Sequence, residues 1–126
     1  MFYAGGKNGD GTELLRITGS GELTKPSTGT ANLLPVAYGV VSNTNVSVYP
    51  PAQATINTVS GEVNIEFIGA LSSSNLGNAT VIVTCITPGR VATAHGASSG
   101  HIIVNISNPA TNAGAAGDFQ FVVYRP

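Results

Sequence analysis

The chain has 126 residues, of which 42% are hydrophobic, five are Lys or Arg and six are Asp or Glu, for a net charge of −1. That length and apolar content suit one domain with a real core, and the absence of clustered Lys and Arg excludes nucleic acid as a partner, because phosphate binding depends on releasing counterions. Charged residues make up 9% of the chain, against about a quarter in an ordinary soluble domain, and Lys7, Asp10, Glu13, Arg16, Glu22 and Lys25 crowd into its start. The rest must meet water through hydroxyls and amides, or be covered by further copies of the chain.

The first residues, Met1-Phe2-Tyr3-Ala4-Gly5-Gly6-Lys7, lack the basic start and apolar stretch of a secretory signal, and no later run reaches the ~20 residues of a membrane span. A soluble protein with no export signal and no membrane insertion is expected. Asn8-Gly9-Asp10-Gly11-Thr12-Glu13 spaces oxygen side chains as a calcium loop begins, but Glu13 stands where that loop needs glycine and no acid follows at its twelfth position, so a plain turn is expected. Residues 13–18 then read as a strand, Gly19-Ser20-Gly21 as a turn and residues 22–25 as a second strand stopped by Pro26. A two-stranded hairpin exposing Leu14, Leu15, Ile17 and Leu23 is marginal alone in water, so these four residues are assigned to assembly with a partner. Residues 27–32 have linker composition. The organisation expected is an attachment segment over 1–34 and a body over 35–126.

In the body the apolar spacing is two, with no sustained helical period, so the chain is all-β. Strands are expected at 36–41, 45–49, 54–59, 62–67, 80–86, 90–94, 101–107 and 119–124, separated by Pro-Pro, Ser-Gly, Pro-Gly and Ser-Ser-Gly turns. Residues 62–67 alternate strictly: Val63, Ile65 and Phe67 take one face, Glu62, Asn64 and Glu66 the other. This number of short strands fits a single β-sandwich, jelly-roll-like. Val81-Ile82-Val83 and Val122-Val123 are apolar on both faces, which suits strands central in the sandwich or covered by a neighbouring subunit. Cys85 cannot form an internal disulfide and reads as a small buried hydrophobe. Tyr38 and Tyr124 are assigned to core packing.

No constellation for catalysis emerges. Glu62 and Glu66 would stand about 13 Å apart at a strand rise of ~3.3 Å per residue, beyond the ~5–9.5 Å of glycosidase carboxylates. No nucleophile elbow and no phosphate-loop lysine is present, and the sequons at Asn45, Asn78 and Asn105 carry no functional weight without a signal peptide. No enzyme activity, cofactor or metal is expected. His95 and His101 flank Gly96-Ala97-Ser98-Ser99-Gly100 and read as loop-edge residues, without further ligands at metal-site spacing. Residues 108–117 hold no charge and no large side chain, so a ligand could approach the backbone there while Asn108, Thr111 and Asn112 offer amides and hydroxyls that suit sugar hydroxyls. His95, His101, Asn108, Thr111 and Asn112 are therefore the candidate binding residues.

Three strands also carry a resemblance. Val36-Ala37-Tyr38-Gly39-Val40-Val41, residues 79–87, and Asp118-Phe119-Gln120-Phe121-Val122-Val123-Tyr124 together resemble the β-rich domain that closes many bacteriophage tail-fibre, head-fibre and spike proteins, with its "A-x-G-x-V" opening strand, valine-rich middle strand and terminal "F-x-F-x-V-Y" strand. Residues 15–23 look like the short repeats that precede such tips, while Arg125-Pro126 after Tyr124 departs from the pattern. The resemblance implies a non-enzymatic virion surface protein, usually a homotrimer, that joins other virion proteins and recognises a host surface component, plausibly a glycan, through exposed loops. A capsid decoration or cement protein and a bacterial carbohydrate-binding or adhesin module are the competing expectations. Virion micrographs separate fibre from lattice, and glycan or cell binding separates recognition from both.

Overall fold

In the computed structural model, residues 2–4, 12–25 and 32–125 are described, with side chains from Leu15 onward. The calcium-like segment before Thr12, most of the 27–32 linker and the Leu14 side chain lie outside the described residues. The described chain is all-β, with antiparallel sheets and one single-turn 3-10 segment at Gly69–Leu71.

At the start, β1 (Phe2–Ala4), β2 (Thr12–Ile17) and β3 (Leu23–Thr24) form a small sheet in that order. The β2–β3 turn forms as expected: Gly21 takes a φ of 82°, its N–H donates to the Thr18 carbonyl at 2.9 Å, and Thr18 Oγ1 accepts from Glu22 N–H at 3.0 Å. Strand β1 was not anticipated, because Phe2-Tyr3-Ala4 is too short a run to show a period. Asn32 Oδ1 accepts from both Leu23 and Leu34 N–H, at 3.1 and 3.0 Å, tying the hairpin to the start of the body. Val36 N–H then donates to the Val123 carbonyl at 2.8 Å.

The body holds β4 (Ala37–Val41), β5 (Val46–Tyr49), β6 (Ala52–Ile56), β7 (Glu62–Phe67), β8 (Thr80–Cys85), β9 (Val91–Ala97), β10 (His101–Asn108), β11 (Ala113–Gly114) and β12 (Phe119–Tyr124). One sheet runs β5-β4-β12-β8. The other runs β9-β10-β7-β6, with β11 continuing the edge of β10 that β7 occupies. The pairs β4–β5, β6–β7 and β9–β10 are hairpins within a sheet; Pro50-Pro51 carries the chain from one sheet to the other.

Between the sheets lies one core. Ala37, Val41, Phe119, Phe121 and Val123 come from one side, and Val63, Ile65, Phe67, Ile102, Val104 and Ile106 from the other. Phe67 meets Phe121 edge-on across the layers, ring centroids 6.5 Å apart at 60°, the geometry that sets a ring's positive edge against a negative face. Leu71 and Leu76, from the β7–β8 connection, close one end. Leu76 needs Gly96 beneath it, since a Cβ there would run into the Leu76 carbonyl. Cys85 is half-buried and donates Sγ–H to the Asp118 carbonyl at 3.4 Å.

Several strand boundaries shift by one or two residues from expectation, and the two largest shifts have local reasons. The strand expected at 54–59 ends at Ile56, because Asn57 Oδ1 accepts from Val59 and Ser60 N–H at 3.1 and 3.0 Å and turns the chain, leaving Val59 85% exposed despite its strand preference. The strand expected to stop at Ala94 runs on to Ala97, because β10 pairs with it as far as His101–Ala97. On these contacts, Ile65→Ala, at a fully buried position, should cost about 2–5 kcal/mol in chemical denaturation, whereas Ile82→Ala, on the outer face, should cost under about 1 kcal/mol.

Candidate functional site

Because strand side chains alternate, every residue fixed into the core places its neighbours on an outer face. In the β5-β4-β12-β8 sheet, inward Ala37 and Val41 force Tyr38 and Val40 outward, inward Phe121 and Val123 do the same for Gln120, Val122 and Tyr124, and half-buried Val81, Val83 and Cys85 do so for Ile82 and Thr84. Register aligns Tyr49, Tyr38, Val122 and Ile82 in one row across four strands, with Ser47, Val40, Gln120 and Thr84 in the next. Tyr38 and Tyr49 pack ring to ring, centroids 5.7 Å apart.

Tyr38 is 53% exposed, Tyr49 62%, Ile82 53% and Ile86 49%. Tyr38 is thus not the core residue expected of it, and Tyr124 lies half-buried on the same outer face; the parity of their strands sends both away from the Phe119, Phe121 and Val123 row. An open groove of about 320 Å³ runs along β12, floored by Gln120 and Val122 and walled by Tyr38 and Val40 on one side and Ile82 and Thr84 on the other. None of the four strands contains an Asp, Glu, Lys or Arg.

The opposite outer face is polar. Rows of Ala97-His101-Glu66-Gln53, His95-Ile103-Asn64-Thr55 and Thr93-Asn105-Glu62 cross β9, β10, β7 and β6. The two histidines sit one diagonal step apart, His101 at the loop edge as the first residue of β10 and His95 inside β9, two residues before its end. His101 Nε2 lies 3.6 Å from Glu66 Oε1, too long for a hydrogen bond, and with the carboxylate 62% exposed the pair adds little to stability. Asn64 Oδ1 is buried without a hydrogen-bond partner. Among the described residues no three His, Cys, Asp or Glu side chains come together as a metal group.

Asn108, Thr111 and Asn112 gather in the turn that follows β10. Asn108 Oδ1 accepts from Ala110 N–H at 3.0 Å, its carbonyl accepts from Asn112 N–H at 2.8 Å, and Thr111 Oγ1 accepts from Ala113 N–H at 3.4 Å. Asn112, at φ 56°, holds the left-handed conformation that Asn tolerates. These acceptors serve the turn itself, and β11 then docks Gly114 against the Ser60 backbone. Asn108 and His101 end the same strand, about 23 Å apart at ~3.3 Å per residue, so the five candidate residues form two separate groups. Of the four residues assigned to assembly, Leu15 and Leu23 are half-buried and Ile17 is 54% exposed.

Sequence reasoning missed Tyr38, Tyr49 and Val40 as a surface; the signal was present in strands apolar on both faces, but periodicity alone does not tell an outer face from a core. No protein-family model, curated protein or solved structure matches the chain. Asn64 generates a direct test. Asn64→Val removes the unpartnered buried oxygen and adds a strand-favouring side chain, so it should raise stability by about 1 kcal/mol, read as a higher denaturant midpoint.

Proposed function

We propose that the chain is a non-enzymatic subunit of a bacteriophage surface appendage, a fibre or spike component that assembles as a homotrimer, joins other virion proteins through residues 1–34 and presents the body, 35–126, to a host surface glycan. The observation that carries this reading is the uncharged outer face of the β5-β4-β12-β8 sheet, with Tyr38, Tyr49, Val40 and Ile82 exposed together. A contiguous apolar patch of this kind is suited to contact with another macromolecule, and its hydroxyls, on Tyr38, Tyr49, Ser47 and Thr84, have no His, Asp, Glu, Lys or Arg beside them in these strands. The opposite face, with His95, His101, Glu66 and Gln53, supplies the polar surface that an assembled particle would turn toward water or toward sugar hydroxyls. The finer architecture we propose is a sandwich related to the jelly roll, supported by two sheets over one core with β4 beside β12, though its within-sheet hairpins β4–β5, β6–β7, β9–β10 and β10–β11 make the wrapping more local than two full Greek keys.

Labelling the protein on intact virions tests the reading. Label at fibre or spike tips, together with competition of host adsorption by the purified protein, is the expected result; label spread over the capsid lattice assigns the chain to cement, and absence from virions removes the reading. Ile17→Asp places a charge among the β2 and β3 apolar residues. It should lower incorporation into virions at least ~10-fold, the equivalent of ~1.4 kcal/mol, without moving the body's unfolding transition, as immunoblots of purified virions and circular dichroism would show.

A further inference from the structure

We infer that the outer face of the β5-β4-β12-β8 sheet is where two copies of this chain meet, an assignment that rests on the self-association in the reading above but places the contact in the body and gives it twofold in place of threefold symmetry. Four strands spaced ~4.8 Å apart, of 4, 5, 6 and 6 residues at ~3.3 Å per residue, make a face roughly 19 by 17 Å. With the relief of its side chains, covering it on two copies buries on the order of 1,000 Å², the lower bound for specific association.

Charge selects the occupant. The face has no charged side chain in its strands, so a partner that brought an unpaired charge there would bury it at a cost of several kcal/mol. The opposite face of the body carries Glu62 and Glu66 and does not fit. A second copy of the same face does fit: it is equally uncharged and is available at equal concentration. An anionic lipid surface would instead call for Lys or Arg among the exposed apolar residues, and these strands supply none.

Shape agrees with charge. The paired rings of Tyr38 and Tyr49 on one side and exposed Ile82 on the other flank the groove of about 320 Å³ along β12. A cavity of ~150 Å³ accepts a benzene ring, so the groove has room for the paired rings of another copy. Twofold symmetry makes the reciprocal contact at once, since a self-complementary patch is used twice. Sheets packed this way lie ~10 Å apart with interdigitated side chains, and the phenol groups of Tyr38 and Tyr49 keep hydrogen-bonding capacity for the rim.

The test is the mass of the full chain by sedimentation and light scattering across the micromolar range, for the wild type, Ile82→Asp and Val40→Asp on this face, and Thr55→Asp on the opposite one. Circular dichroism and unfolding transitions identify the variants that fold. Expected are a concentration-dependent oligomer for the wild type and Thr55→Asp, and at least ~10-fold weaker association for whichever apolar-face variants fold. A wild type that stays monomeric overturns the inference, and the assembly reading with it; if that monomer captures uncharged lipid vesicles or a virion protein, the face belongs to that occupant. An oligomer unchanged by Ile82→Asp and Val40→Asp overturns the face alone and leaves the appendage reading standing.

Discussion

The packing of β7 and β10 against β4 and β12 is the contact on which the rest of the structure depends. Phe67 and Phe121 meet across the layers, and Ile65, Ile102, Val104, Phe119 and Val123 are fully buried around them. Once those residues are committed inward, the two-residue period leaves no freedom over what the same strands show outside. A one-residue slip would bring Glu62, Asn64 and Glu66 into the core, so the register of this sheet is strongly enforced. In the other sheet a slip would exchange Phe119, Phe121 and Val123 for Gln120, Val122 and Tyr124, a smaller penalty that ring packing and the fixed partner sheet must settle.

From that constraint follows the unequal character of the two faces. One sheet spends its outward positions on carboxylates, amides and imidazoles, as a solvent-facing sheet does. The other spends them on Tyr38, Val40, Val122 and Ile82, which the core does not use. Strand β8 makes the contrast plain, because it lies at a sheet edge and still carries an apolar run on both faces. The scarcity of charge in the body and this face agree: the two outward carboxylates of the body's strands, Glu62 and Glu66, both lie on the other sheet, and the outward positions here are filled mainly by apolar and aromatic side chains.

The turns show the opposite economy. Asn57, Asn108 and Thr111 use their side-chain oxygens to accept backbone N–H groups and fix chain reversals. A segment of small and polar residues that looks like an open recognition loop becomes, in the fold, a closed turn followed by the short strand β11 on β10. The segments richest in hydroxyls and amides are therefore partly committed to structure, and the polar groups left outward sit instead on the β9-β10-β7-β6 face.

By itself the sequence determined what depends on neighbours along the chain: the all-β class, the strict alternation of Glu62–Phe67, the β2–β3 turn at Gly19-Ser20-Gly21, and the Pro-Pro break after β5. Each follows from local period or backbone chemistry, which one segment carries without knowledge of the others. Only the tertiary structure decided which of two apolar faces became core, and so that Tyr38 and Ile82 point outward, that His95 and His101 share a sheet face, and that Asn108 stands at the far end of the same strand. Those outcomes depend on which strands pair and which sheet covers which, and period two reads identically whichever face is buried. β1 also belongs to this second class, since three residues acquire strand geometry only when β2 lies beside them.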